Sequence, residues 1–159
     1  MLSQASGYAA TCLAYIDSRS GPVFVKDIAD ATGIPAPYLA KIVQILAKKG
    51  FVKTQRGIGG GVSLARKADS ISIFDVCAAL DDPGVVPKCI MGTAVCSDER
   101  ACPAHDFWKA ERAKIYMFLQ STTIADLSKS KNRLWYHVLS PHELEQKVAA
   151  ARYGGDTAA

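Results

Sequence analysis

Three cysteines and a histidine crowd into one short polar stretch, CIMGTAVCSDERACPAH, running from Cys89 to His105. The gaps from Cys89 to Cys96, Cys96 to Cys102 and Cys102 to His105 hold six, five and two residues. Thiolate and imidazole are the donors that zinc and iron–sulfur centres take. Structural zinc sites usually contain a cysteine pair two to four residues apart. No such pair exists here, which lowers zinc without excluding it. Thioredoxin-type exchange needs Cys-x-x-Cys in a βαβ setting, and both are missing. Wide spacing in a loop with glycine and proline suits a larger object, such as a [2Fe–2S] rhombus, whose irons need four protein ligands in all. A neutral imidazole in place of one thiolate removes a negative charge and raises the reduction potential. The plain alternative is three free thiols on a polar loop and a histidine that merely begins a helix. Cys12 and Cys77 fall on apolar helical faces and read as small core residues. His137 and His142 read as surface or packing positions.

A centre of this kind needs elements that hold it. The chain has 159 residues, enough for one domain or a small domain with an appendage. Residues 4–17 read as a helix, with Tyr8, Cys12, Leu13 and Ile16 at helical spacing. Ser20-Gly21-Pro22 ends it, and Val23-Phe24-Val25 reads as an extended link. Two helices then follow across the turn Gly33-Ile34-Pro35: Lys26–Thr32 and about Ala36–Lys49, with Gly50 just past the end. Ile28, Ala31, Ile34, Leu39, Ile42, Val43 and Leu46 are expected on one buried face. This is a helix-turn-helix. FVKTQRGIGGGVSLAR predicts two short strands, 51–56 and 61–65, around a glycine-rich tip. No helix follows GIGGG, so it is no dinucleotide fingerprint; a hairpin placed here makes a wing. Ser70 and Ser72 open the helix ISIFDVCAALD. After the irregular cysteine stretch, about His105–Gln120 predicts a helix with an apolar stripe of Phe107, Trp108, Ile115, Phe118 and Leu119. Ser121-Thr122-Thr123 stops it and caps a short helix, IADLSK. Ser140-Pro141 starts a last helix, and the tail GGDTAA reads as disordered.

The charge is uneven. Residues 1–80 carry nine Lys/Arg against five Asp/Glu, whereas 81–159 carry ten against ten. Between 41 and 67 stand seven basic residues (Lys41, Lys48, Lys49, Lys53, Arg56, Arg66, Lys67) and no acid. A solvated helix face usually mixes lysine with glutamate; a segment that meets phosphates does not. The start of the second helix, Ala36, Pro37, Tyr38, Ala40 and Lys41, is the end that meets base edges in the major groove. Lys48 and Lys49 add phosphate contacts. At the wing, Arg56 suits phosphate or a narrow minor groove, and Gly57, Gly59 and Gly60 let backbone come close to a duplex. The bland alternative leaves the glycines as a tight hairpin and packs Tyr38 in the core. No apolar run reaches the ~18 residues of a membrane span. The N-terminus lacks a basic lead, and an odd set of five cysteines suits the reducing cytoplasm.

Taken together, YLAKIVQILAKKGFVKTQRGIGGGVSLAR, the helix ISIFDVCAALD, the three-cysteine loop and CPAHDFW leading to STTIADL resemble the IscR/NsrR-type family of winged-helix iron–sulfur transcription regulators. The likeness covers about residues 2–129. It implies a mainly α fold with a small β-wing, and a homodimer built on the helix near 105–120 that binds a pseudo-palindromic operator in double-stranded DNA. It also implies a [2Fe–2S] cluster, or [4Fe–4S] as in some relatives, at Cys89, Cys96 and Cys102. Some relatives complete the site with a histidine three residues after the last cysteine, matched here by His105. Others use an acidic residue near the partner's N-terminus, where this chain has Gly7, which cannot ligate. Cys12 is a remote candidate for a ligand from the second subunit. Two positions depart from the IscR pattern: the first cysteine gap is six rather than five residues, and Pro37 and Ala40 replace serine and glutamate. Operator preferences therefore do not transfer.

The expected organisation is a winged helix-turn-helix at 1–81, a cluster-binding loop at 82–104, a dimerisation helix with a short helix after it at 105–130, and a C-terminal helix and tail at 131–159. The expected function is a DNA-binding regulator whose operator affinity follows the state of the cluster, through redox, iron or nitrosative signals. One alternative is a metal-free thiol sensor on the same fold. Another is a small iron–sulfur electron carrier, which the acid-free basic segment opposes. No nucleophile–base set or cofactor motif suggests an enzyme.

Overall fold

The first helix, α1 (Gln4–Asp17), begins at Ser3, whose hydroxyl accepts the Ser6 N–H at 3.2 Å. Capping of this kind satisfies an amide the helix leaves orphaned. From Ala9 to Ile16 every residue is buried, so α1 is a central rod and not the one-sided helix its larger side chains suggest. The small residues Ala9, Ala10 and Ala14 let neighbours approach from all directions. The structure is a computed structural model and describes residues 2–85, 88–91, 95–130, 139 and 141–153. Ser140, His137 and the GGDTAA tail lie outside these residues.

Helices α2 (Val25–Thr32) and α3 (Ala36–Lys48) form the helix-turn-helix. Gly33 closes α2 at φ 72°, the left-handed region that glycine enters without steric cost. Pro35 then sets the chain at the N-cap of α3, with Ile34 buried between the two helices. Ile28, Ile34, Leu39, Ile42, Val43 and Leu46 share the core as the pattern requires, and Ala31 packs at its margin. Each fully buried Leu or Ile contributes roughly 1.5–3 kcal/mol.

The wing is the antiparallel pair β1 (Val52–Gln55) and β2 (Gly61–Leu64), registered Val52 to Leu64 and Gln55 to Gly61. Val23 bonds Val62 in both directions, at 2.9 and 2.8 Å, and so docks the wing on the segment before α2. Only Val23 of the expected extended link is a strand partner; Val25 already begins α2. Gly61, at φ 140°, passes so close to Val23 that a Cβ would meet its backbone at 2.9 Å.

Helix α4 (Ile73–Ala79) opens with a reciprocal cap between Ser72 and Asp75. Helix α5 (His105–Ser121) returns to it: the Ile73 N–H bonds the Thr122 carbonyl and the Ile124 N–H bonds the Ile71 carbonyl. Helix α6 (Ile124–Ser128) has the same type of cap, Thr123 with Asp126, and sends Ile124 and Ala125 into the main core beside α1. Ile73, Cys77 and Leu119 form a second small core where α4 meets α5. Helix α7 (Pro141–Tyr153) closes the described chain. The result is a mainly helical fold with a two-stranded wing.

Candidate cysteine centre and nucleic-acid interface

Just past α4 and its C-cap Leu80, Asp81 adopts φ 52°, a left-handed turn that aspartate tolerates better than most residues. The turn points Asp82 back into the protein, where it is fully buried. Its carboxylate accepts the Ser3 amide at 2.8 Å, the Ser3 hydroxyl at 2.7 Å and the Gly84 amide at 2.6 Å. Burial alone would raise its pKa, but the hydrogen bonds from Ser6, Ser3 and Gly84 prevail and hold it below the usual carboxylate range. The root of the cysteine loop is thus tied to the N-cap of the central helix.

Further along, α5 grips the loop by its backbone. Tyr116 donates its hydroxyl to the Val85 carbonyl at 2.6 Å, and Trp108 donates its indole N–H to the Lys88 carbonyl at 2.8 Å. The first turn of α5 carries His105, only 4% exposed, whose amide bonds the Cys102 carbonyl at 2.8 Å. Its Nδ1 lies 3.3 Å from Cys96 Sγ, and its Nε2 lies 2.8 Å from Asp98 Oδ1. Lys109, one turn along α5, holds both oxygens of Asp98 at 2.7 and 3.0 Å. The lysine first, then the histidine, holds the Asp98 carboxyl below its ordinary range, and Asp98 in turn raises the Lys109 ammonium. An ionised carboxylate only accepts, so Nε2–H donates to Asp98, and in the neutral imidazole Nδ1 then presents its lone pair to Cys96.

A carboxylate behind the far nitrogen is how metal-binding histidines are oriented, and the donor set of thiolates and imidazole suits an iron–sulfur group. The Cys96–His105 separation is slightly shorter than the ~3.6 Å edge that metal–sulfur and metal–nitrogen bonds at a tetrahedral metal would give. It is the distance of an S–H to nitrogen hydrogen bond. Cys89 is half-buried and lines a cavity of about 660 Å³ beside Trp108 and Arg112, whose lining includes neither Cys96 nor His105. The Cys102 side chain is exposed. Among the described residues, no three His, Cys, Asp or Glu side chains are gathered ready to hold a metal ion. The chain therefore brings Cys96 and His105 together, and the Lys88–Val95 bridge joins the segments that carry Cys89 and Cys96.

The other cysteines differ in kind. Cys12 and Cys77 are both fully buried. Burial pushes the Cys12 thiol up to about 12. It also pushes Cys77 up to about 11, against the Ser6 hydrogen bond and with the help of the Asp82 charge. Such thiols stay protonated and packed, so Cys12 is closed to a second subunit. Gly7 is exposed, with no neighbour near its missing side chain. His142 is exposed and pairs with Gln146.

At the opposite pole, Ala36, Pro37, Tyr38 and Lys41 are exposed at the start of α3. Tyr38 rests its ring edge on Tyr8, with centroids 5.7 Å apart, and stays accessible above it. Lys48 and Lys49 are exposed at the other end of the helix, about 15 Å along the axis from Tyr38. Arg56, Gly57 and Gly59 are exposed at the wing, whereas Gly60 is buried against the turn. Arg66 folds back, bonding the Gly50 carbonyl at 3.2 Å and stacking 4.0 Å over Phe51. It belongs to the fold more than to the basic face. Sequence reasoning passed over Asp98, Lys109, Asp82 and Ser3. The first two had a signal: an acid two residues past Cys96 and a base one helical turn past His105.

A helix-turn-helix with a docked wing and a basic segment, 41–67, that carries no acid defines a winged-helix DNA-binding protein. The chain belongs to the Rrf2 family, described as an iron-dependent transcriptional regulator, whose pattern matches residues 2–130. It is 30% identical over 155 residues to the HTH-type transcriptional regulator IscR of Erwinia tasmaniensis, covering 96% of this chain and 92% of that one. The fold is similar to that of CymR, the global cysteine regulator of B. subtilis, with a TM-score of 0.68 and 27% identity over 80% of this chain and 95% of that one. It is also similar to T. potens IscR, with a TM-score of 0.62 and 26% identity over 81% of this chain and 86% of that one. These relatives are named as transcriptional regulators, not enzymes, and the protein is a transcriptional regulator of this kind. Among the described residues no helix is long and apolar enough to cross a membrane.

Proposed function

We propose that the protein is a homodimeric regulator whose affinity for a pseudo-palindromic operator is set by an iron–sulfur cluster held through Cys89, Cys96, Cys102 and His105. The observation that carries the reading is the imidazole of His105, fixed by Asp98 so that its free nitrogen meets Cys96. The cluster, [2Fe–2S] in the first instance and [4Fe–4S] in the second, supplies a redox-active core whose retention or loss reports the cell's state. The chain's own residues do the rest. Tyr116 and Trp108 seat the loop on α5, and Asp82 ties its root to Ser3 at the head of α1. A change in loop geometry therefore reaches the helix on which α3 packs. Phe107, Ile115 and Phe118 leave an apolar stripe exposed along α5, which supports pairing of two copies through that helix. Pairing in turn places two α3 helices against successive major grooves, ~34 Å apart. Ala36, Pro37, Tyr38 and Lys41 meet the groove, Lys48 and Lys49 the backbone, and the exposed Arg56 the phosphates flanking the minor groove, where Gly57 and Gly59 let the backbone come close; the buried Gly60 shapes the turn instead. A coupling of roughly 1–3 kcal/mol would change affinity 5–150-fold.

A second reading, a metal-free thiol sensor, draws support from the described residues, among which no three His, Cys, Asp or Glu side chains are gathered to hold a metal ion. Purification without oxygen, with a visible spectrum and iron and sulfide assays, separates the two. A coloured protein carrying iron and sulfide, with operator affinity that differs between loaded and cluster-free forms at fixed salt, supports the first. A colourless, iron-free protein sinks it.

A further inference from the structure

We propose that Ile58, at the apex of the wing, is an apolar minor-groove contact through which the protein senses how easily its operator deforms. This rests on the DNA binding of the family and names a residue in that function. Ile58 is the sole side chain between Arg56 and Val62; the four other positions are glycine. It is 108% exposed, the most exposed large apolar side chain among the described residues. The core of the hairpin is supplied instead by Phe51, Val52 and Val62, so Ile58 has no part in holding the fold.

The turn is built to present it. Gly57 and Gly59 flank it at φ 96° and 76°, and the Gly60 amide closes the turn on the Gly57 carbonyl at 3.0 Å. A Cβ at Gly60 would collide with the Gln55 carbonyl oxygen, so the turn depends on that glycine. The root is fixed by the Val23–Val62 bonds. A single branched hydrocarbon therefore stands on a narrow, docked stem with bare backbone on either side. That shape fits a groove about 6 Å wide.

The charges beside it select the partner. Arg56 is exposed beside the tip and Lys53 nearer the root of the wing, and no acid occurs from 41 to 67. Cations draw the wing to phosphates, and between the phosphate walls an apolar side chain meets sugar faces and base-step edges. Apolar wedges in the minor groove act by unstacking and bending. Isoleucine makes no hydrogen bond, so it cannot read base identity. It discriminates by what the step costs to open, favouring flexible pyrimidine–purine steps over stiff A-tracts.

The test uses full-length protein and a duplex enriched by the wild type from a randomised pool. Affinity is measured by anisotropy from about 50 to 200 mM salt for wild type, Ile58→Ser, Ile58→Leu and Arg56→Ala. Ile58→Ser is expected to weaken binding about five- to eightfold at every salt, the effect of returning roughly 40–50 Å² of apolar surface to water, with the salt slope unchanged. Ile58→Leu restores most of the affinity. Arg56→Ala reduces the slope by about one, because it removes a phosphate contact. Replacing a TA step by AA under the wing weakens the wild type more than Ile58→Ser. Equal affinities for wild type and Ile58→Ser, or an equal penalty from the step change in both, overturn the inference while leaving DNA binding in place. A wild type with no salt-dependent affinity for any duplex removes the DNA reading itself.

Discussion

The two halves of the molecule hold cysteine in opposite ways. Around α1, Cys12 and Cys77 are filler, packed among Ala9, Leu13, Val76 and Leu119. In the loop, Cys89, Cys96 and Cys102 are half-buried or exposed, and its described residues form no regular element longer than three residues. One region obtains its stability from apolar contact and does not need the sulfur. The described residues of the other are held by polar ties at its two ends, through Asp82, Tyr116, Trp108 and His105. The proposed switch sits in the region held by polar ties, where a bound group could change shape at low cost.

The largest effect expected from this contrast is chemical. Alkylation proceeds through thiolate, and pKa values near 12 and 11 lower the thiolate of Cys12 and Cys77 about a thousandfold and about a hundredfold below an ordinary thiol. Native cluster-free protein treated with iodoacetamide near neutral pH should take label at Cys89, Cys96 and Cys102, and take the remaining two only in denaturant. Mass spectrometry of peptides reads the result. Rapid labelling of Cys77 in the native state would show that the seam between α4 and α5 opens readily, and the contrast would fail.

Next in size is the tie between the halves. Asp82→Ala leaves the Ser3 and Gly84 amides without their acceptor in a buried place, at a cost of about 3 kcal/mol by urea denaturation. Because the folded carboxyl has a lowered pKa, its stabilisation is complete above the unfolded value near ~3.9 and is lost as pH falls through the folded value. The wild type should therefore lose part of its advantage over Asp82→Asn in that acid window. A constant difference from pH 7 down to pH 2 would show that the charge does not matter. If Asp82 also carries the coupling, the Asn variant should show a smaller difference in operator affinity between loaded and cluster-free protein.

How far these features were legible in sequence follows from the range of the forces that make them. The helix-turn-helix and the wing rest on local rules: apolar periodicity, Gly33 and Gly50 at helix ends, and glycines at a hairpin tip. Each acts over a few residues, so the boundaries agree within one or two positions. The depth of α1 was not legible, because its burial depends on non-local contacts with α3 and, across more than a hundred residues, with α6, as Ile124 and Ala125 show. At the candidate site the donor types could be read from the sequence, and the structure sets His105 beside Cys96. Asp82 with Ser3 could not, since a buried carboxylate 79 positions from its partner leaves no local pattern. Asp98 lay within reach: an acid beside a cysteine and a lysine at i+4 from the histidine are local facts.

A smaller effect is expected where the loop's polar ties act on the histidine alone. Asp98→Asn keeps a side chain of the same size but removes the charge that fixes the Nε2 proton and holds Lys109. Loss of such a partner typically lowers metal affinity 10–100-fold, and because Asp98 is exposed the low end, about tenfold, is expected. Chelator challenge of reconstituted protein gives the retention, and circular dichroism in the visible region gives a readout independent of DNA binding. Cys96→Ala should abolish the signal. Equal retention and an identical spectrum in Asp98→Asn would detach Asp98 from the centre.

The smallest effect concerns Arg66 and refines the picture of the DNA-binding half. By sequence it is one of seven basic residues without a neighbouring acid, yet its guanidinium already bonds the Gly50 carbonyl and covers the Phe51 ring. A cation spent on its own fold contributes little counterion release. Arg66→Ala should therefore leave the salt slope of DNA binding unchanged while lowering stability by about 0.5–1 kcal/mol, the scale of an exposed cation–π contact. Arg56→Ala should do the reverse. A slope reduced by one in Arg66→Ala would mean that the arginine swings out to phosphate on binding, and the line between residues that build the wing and residues that use it would have to be redrawn at Phe51.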